Sequence, residues 1–138
     1  MGDADADLAR RAWRAMSDMV LDHDRKEAAS EALGLSFARV RALRTLAAQP
    51  LTLRALAERL LADPPYVTLI VDDLEKRGLV QRTPHPEDRR SKLVALTAAG
   101  RAAAVRADAI LDEPPAALRV VPAEDLAALL RILERLAG

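Results

Sequence analysis

The chain has no cysteine and very few aromatic side chains, and these two shortages already narrow its chemistry. Without thiols there is no disulfide, no thiolate metal site and no thiol-based redox sensing. Aromatics make up 2% of the residues while hydrophobic residues make up 51%, so the apolar mass is Ala, Leu and Val, a mixture that favours helices. Glycine is scarce too, with five in all, and none forms a phosphate-cradling loop. Neither charge is in excess: Lys plus Arg and Asp plus Glu number 21 each, so no overall field draws in a polyanion. Apolar runs last a handful of residues, far short of the roughly 20 that a membrane-crossing helix needs. The stretch Met1 to Asp7 carries three aspartates instead of a basic and then apolar lead, which does not read as a secretory or transit signal, and the expected location is the cytoplasm.

What is present reads as one domain, since 138 residues support a single hydrophobic core. From Ala6 to about Leu33 there is no proline, and Leu8, Ala12, Ala15 and Met19 recur at helical spacing beside Trp13, Met16 and Val20. One long helix stopped by Gly34 is expected. Ser36 is placed to cap a second helix with a stripe of Phe37, Val40, Leu43, Leu46 and Ala47, ending near Gln49 and Pro50. Thr52 is placed to cap a short third helix in which Leu53, Leu56, Ala57 and Leu60 share one face. Asp63 before Pro64 and Pro65 marks a fourth helix start, its carboxylate placed to accept the free amide of Tyr66. Val67, Ile70, Val71 and Leu74 form that helix's buried stripe, and Gly78 is positioned to end it in a left-handed conformation.

Beyond Gly78 the period shortens. Leu79 to Thr83 and Lys92 to Leu96 read as two antiparallel strands joined by the polar loop of Pro84, His85, Pro86, Glu87 and Asp88. Thr97 restarts a helix to about Leu111, which Pro114 and Pro115 break, and a last helix runs from about Pro122 to Ala137 with Leu126, Leu129, Leu130, Leu133 and Leu136 on one side. Two short helices, a hairpin and a further helix are the order of a winged helix-turn-helix. The expected fold is therefore mainly α with a small two- to three-stranded β-wing, flanked by N- and C-terminal helices. An α-helix fits the major groove of B-DNA, where each base pair shows a distinct donor and acceptor pattern, so one exposed helix face can select a sequence.

The segment Leu51 to Gly100, about a third of the chain, resembles the DNA-binding core of the MarR family. The resemblance is carried by Leu74, Glu75, Gly78, Leu79, Val80 and Arg82, then by a wing signature, Pro86-x-Asp88-x-Arg90, followed by Leu96-Thr97-x-x-Gly100. It implies a single domain over 1–138, with 36–97 as the winged helix-turn-helix core and 1–34 and 98–138 as dimerisation helices. It also implies a homodimer on a pseudo-palindromic operator of double-stranded DNA, repression as the usual mode, and release by a small aromatic or phenolic effector. Arg90 is then the wing-tip residue that enters the minor groove, where narrow A·T-rich segments favour a guanidinium, and Asp88 is the residue that holds it there.

On the fourth helix Pro65, Thr68, Leu69, Asp72 and Lys76 point away from the buried stripe, with Tyr66 and Asp73 flanking. Family members often carry Arg or Lys where this chain has Leu69 and Asp73, so the reading surface departs from the usual pattern. Thymine methyls for Leu69, and hydrogen bonding by Thr68 or Tyr66, are the contacts left to it. Across Leu51 to Gly100 eight basic residues face seven acidic ones, so phosphate affinity depends on placement: Arg82, Arg89, Arg90 and Lys92 gather on the wing, and Arg54 lies at the start of the bracing helix.

Trp13, Met16 and His23 are the candidates for an effector cleft, although an aromatic and a methionine on a helix commonly serve as core packing. Asp22 and Asp24 lie beside His23 but point to other helix faces, which argues against a metal site. His85 reads as an exposed loop residue. No cofactor is implied. Two other classes compete: a winged-helix module that binds protein without reading DNA, which Asp72 and Asp73 would suit, and a small enzyme. The second lacks a nucleophile with a base and any ligand-spaced His cluster.

Overall fold

A computed structural model describes residues 2–138. Asp3–Asp22 form α1, Lys26–Leu33 α2, Phe37–Ala48 α3, Leu53–Leu60 α4 and Pro64–Lys76 α5. Strands β1, Val80–Pro84, and β2, Lys92–Leu96, follow, and then α6 at Ala98–Leu111, α7 at Ala116–Arg119 and α8 at Ala123–Ala137. The chain divides into two compact units, one of residues 24–112 and one of 2–23 with 113–138.

The 24–112 unit holds the hydrophobic core. Val40, Leu43 and Leu46 of α3, Leu56 and Leu60 of α4, and Val67, Ile70, Val71 and Leu74 of α5 are all buried, as the apolar stripes predict. Val80, Val94 and Leu96 close it from the hairpin, and Ala104 and Ala107 from α6. No polar or charged residue is buried among those described.

The caps explain why the elements begin and end where they do. Ser36, Thr52 and Thr97 each accept a hydrogen bond from the amide three residues on, satisfying a free N–H of the first turn. Gly78 takes a φ of +75°, which lets the amide of Leu79 close back on the carbonyl of Leu74 at 2.9 Å. At Asp63 the expected cap is missing: its side chain caps nothing. Pro64 and Pro65 have already removed two of the free amides such a cap would satisfy, so Tyr66 alone is left, at an exposed site in reach of water.

The expected long N-terminal helix is broken. α1 ends at Asp22 and α2 starts at Lys26, because the Asp24 carboxylate accepts from the Lys26 amide at 2.9 Å and offers the backbone an alternative to continuing the helix. His23 leaves helical geometry there, and its Nε2 lies 2.7 Å from the Glu113 carbonyl. The four-residue α7 has no counterpart in the sequence pattern.

The wing is a two-stranded antiparallel hairpin in which Val80 pairs with Leu96 and Pro84 with Lys92. Leu51, just before α4, adds a single bridge to Val94 through two backbone hydrogen bonds, the trace of a third strand. Gly100 fixes the packing behind the wing: a Cβ there would lie 1.9 Å from the Leu79 carbonyl oxygen. Thr97, next to it, donates to the Gly78 carbonyl at 2.6 Å. The Leu-Thr-x-x-Gly spacing is thus a close approach of two backbones made by one hydroxyl and one missing side chain.

Candidate nucleic-acid interface

α4 and α5 form the helix pair, and the turn between them contains Leu61 in the left-handed region at φ +53°. From this pair α5 presents its polar side outward. Pro65, Tyr66 and Leu69 are exposed and Thr68 is half-buried, as the periodicity predicts; Tyr66 is 48% and Leu69 64% accessible.

The acids on α5 are all neutralised from neighbouring elements. Arg82 of β1 donates to Asp72 and to Glu75, at 2.7 Å each, and is only 18% exposed. Asp73 accepts from Arg39 of α3 at 2.7 Å and from Arg77 at 2.8 Å. These hydrogen bonds, that from Arg77 first, hold the Asp73 carboxyl below the ordinary value of 3.8. Both acids that made α5 look hostile to DNA are therefore structural ties: one anchors the wing base to α5, the other anchors α3 to it.

Of the basic residues expected on the wing and at the bracing helix, all but Arg89 converge. Arg54 at the start of α4, Arg82 of β1, Arg90 in the loop and Lys92 of β2 border one groove of about 360 Å³, together with Thr52 and Ser91. Arg54 is 90% exposed and reaches Glu58 only at 3.6 Å, a pairing worth little in water. Among the described residues Arg89, Arg90 and Lys92 take part in no ion pair. The groove also faces the start of α4, where free backbone amides favour anions.

At the wing tip Asp88 works on the backbone. One carboxylate oxygen accepts from the Arg90 amide at 3.0 Å and the other from the Ser91 hydroxyl at 3.3 Å, while the His85 amide donates to the Ser91 carbonyl. Asp88 thus fixes the Arg90 main chain, and the guanidinium points free. His85 Nδ1 accepts from the Glu87 amide, so this histidine belongs to the loop's own bonding. Sequence reasoning missed Arg39 and the strut role of Arg82. An acid on α5 seven or ten residues before a strand arginine was the only available sign of the latter.

The effector candidates separate. Trp13 and Met16, with Ser17, Val20 and Leu21, border a shallow apolar groove of about 340 Å³ along α1. His23 is not among them and is engaged with the Glu113 carbonyl. Among the described residues no helix is long and apolar enough to cross a membrane.

A braced helix pair followed by a hairpin and a supporting helix defines a winged helix-turn-helix. Residues 35–92 match the MarR family. The chain is similar to apo MarR from E. coli, at 23% identity and TM-score 0.69, over 91% of this chain and 96% of that one. It is similar to the transcriptional regulator BldR from Sulfolobus solfataricus at 26% identity and TM-score 0.62, over 98% and 99% of the two chains. It also resembles a mutant of S. aureus MepR bound to an oligodeoxyribonucleotide, at 23% identity and TM-score 0.65, over 90% and 95%. Among curated proteins none matches this chain.

Proposed function

We propose that this chain is a transcriptional regulator that acts in the cytoplasm by binding double-stranded DNA as a homodimer, without catalysis. The observation that carries the reading is the basic groove between the start of α4 and the wing: Arg54, Arg90 and Lys92 border it where phosphates would run, and Arg82 in its wall is tied to Asp72 and Glu75 of α5. Arg90, its main chain held by Asp88, reaches into the minor groove, and Arg89 and Lys92 hold the adjoining backbone. Pro65, Tyr66, Thr68 and Leu69 face the major groove. Arg82 sits at the groove's edge as the strut that sets wing against helix. The structural likeness to a DNA-bound MepR supports this reading. The rival protein-binding reading loses its footing, because Asp72 and Asp73 are paired internally.

Dimerisation follows from what α1 and α8 leave uncovered. Neither contains a buried residue, while Trp13, Val20, Leu21, Leu130 and Leu136 are exposed. Exposed apolar stripes of this kind are covered by a partner in solution, and a second copy supplies the twofold axis that a pseudo-palindromic operator requires. Occupancy of such an operator represses transcription, and a small aromatic or phenolic effector at Trp13 and Met16 releases it.

Fluorescence anisotropy with duplexes recovered from the host genome tests the reading. Arg90→Ala should fold normally and bind roughly tenfold or more weakly, the size of one lost charge-assisted contact. Undiminished affinity would remove the wing from the interface.

A further inference from the structure

Resting on the DNA-binding reading, we infer that the outward face of α5 reads A·T pairs, through thymine methyl groups and the adenine amino group, and makes no forked guanine contact. Guanine is read in the major groove by a cation that forks onto its O6 and N7 acceptors. From Pro64 to Glu75 α5 has no Lys or Arg at all. Lys76 comes only in the last turn, and Arg77 beyond it is bound to Asp73.

What the first turns do present is uncharged: Pro65 and Leu69 are apolar, and Tyr66 adds a ring whose hydroxyl can give or take a hydrogen bond. Pro65, Tyr66 and Leu69 are exposed on a helix whose acids are already neutralised, so the surface enters the groove with little charge of its own. The thymine C5-methyl is the apolar group that the major groove displays, and Leu69 is the matching side chain.

Thr68 sharpens the choice. Its hydroxyl donates to the Pro64 carbonyl at 3.1 Å, so its one proton is committed and only lone pairs remain for a base. It therefore accepts, from the adenine amino group or the cytosine one, and cannot donate to guanine. Only an A·T pair offers both that donor and a methyl.

The division of labour is then clear. Attraction comes from the groove of Arg54, Arg90 and Lys92, and selection comes from the uncharged helix face. The test starts from duplexes retained by the wild-type chain out of a random library. Each thymine within the retained half-site is replaced by deoxyuridine, which removes only the methyl group, and affinity is measured by anisotropy. At one or more positions beneath α5 the replacement should weaken wild-type binding roughly fivefold, the worth of one buried methyl. Leu69→Ala, an exposed site whose folding is checked by circular dichroism, should bind both duplexes within about twofold of each other. Leu69→Arg should shift selection at that position from A·T to G·C. Equal wild-type affinity for the thymine and deoxyuridine duplexes, or retained sites with guanine as the base required beneath α5, would overturn the inference while leaving DNA binding intact. Retention of no sequence at all would overturn the DNA-binding reading and this inference with it.

Discussion

The 24–112 unit and the unit of 2–23 with 113–138 are built from similar material and reach opposite outcomes. Both consist mainly of amphipathic Ala- and Leu-rich helices. In the first, α3, α4, α5 and α6 turn their stripes toward one another and toward the hairpin, and fully bury side chains such as Leu43, Ile70 and Leu74. In the second, α1 and α8 also carry apolar stripes, yet none of their residues is buried. An apolar stripe therefore states only that a surface must be covered. Whether this chain or another copy covers it is a matter of tertiary geometry, and the stripes left exposed are those a second copy would cover.

The sharpest way to break this comparison is to make equivalent truncations in each unit. Leu43→Ala, in the core, should cost roughly 2 to 5 kcal/mol by urea denaturation. Leu130→Asp with Leu133→Asp, in α8, should leave the circular dichroism of the winged segment in place and convert the proposed homodimer to a monomer in sedimentation equilibrium. If the α8 pair unfolded the whole chain at all concentrations, the two units would not differ as described.

A second experiment probes the close approach behind the wing. Gly100→Ala forces a methyl group onto the Leu79 carbonyl, and since backbone cannot swing aside as a side chain does, the loss should reach about 3 kcal/mol, the upper part of the overpacking range. A melting temperature within a degree or so of wild type would mean that α6 shifts freely against the hairpin.

In the turn between α4 and α5 the effect should be smaller and of opposite sign. Leu61 is 92% exposed and left-handed, so its side chain contributes little packing and imposes backbone strain. Leu61→Gly should stabilise the chain by roughly 0.5 to 1 kcal/mol in thermal denaturation, after the glycine's greater unfolded-state freedom is set against the relieved strain.

The smallest expected effect is pH-dependent. Arg77 and Arg39 lower the Asp73 pKa in the folded state, so the stability this carboxylate contributes is complete above its ordinary value of 3.8 and is lost as the pH falls through the depressed folded value. Wild type should therefore lose melting temperature more steeply than Asp73→Asn as the pH falls below about 4. Parallel curves would mean that the two arginines do not hold Asp73 in solution.

The helices of the winged segment were legible because each rule acts within a few residues. A hydroxyl three residues before an unpaired amide, a glycine after the last turn and a stripe at helical spacing place α3, α4 and α5 almost to the residue. The interruption at His23 to Arg25 was not legible, because one of its partners, the Glu113 carbonyl, is distant in sequence. For the same reason the site was half legible. The wing's basic residues could be named from their pattern, but Arg82 and Asp73 took their roles from partners on other elements.

By itself the sequence determined which segments are helical, where they are capped, and which faces must leave water, since backbone hydrogen bonding and the burial of apolar stripes are local demands. Only the tertiary structure decided which stripes find cover within the chain, and that Arg54, Arg90 and Lys92 share one groove while the acids of α5 are neutralised. Charge pairing depends on distances of a few ångströms between residues far apart in the chain, and those distances exist only once the core has closed.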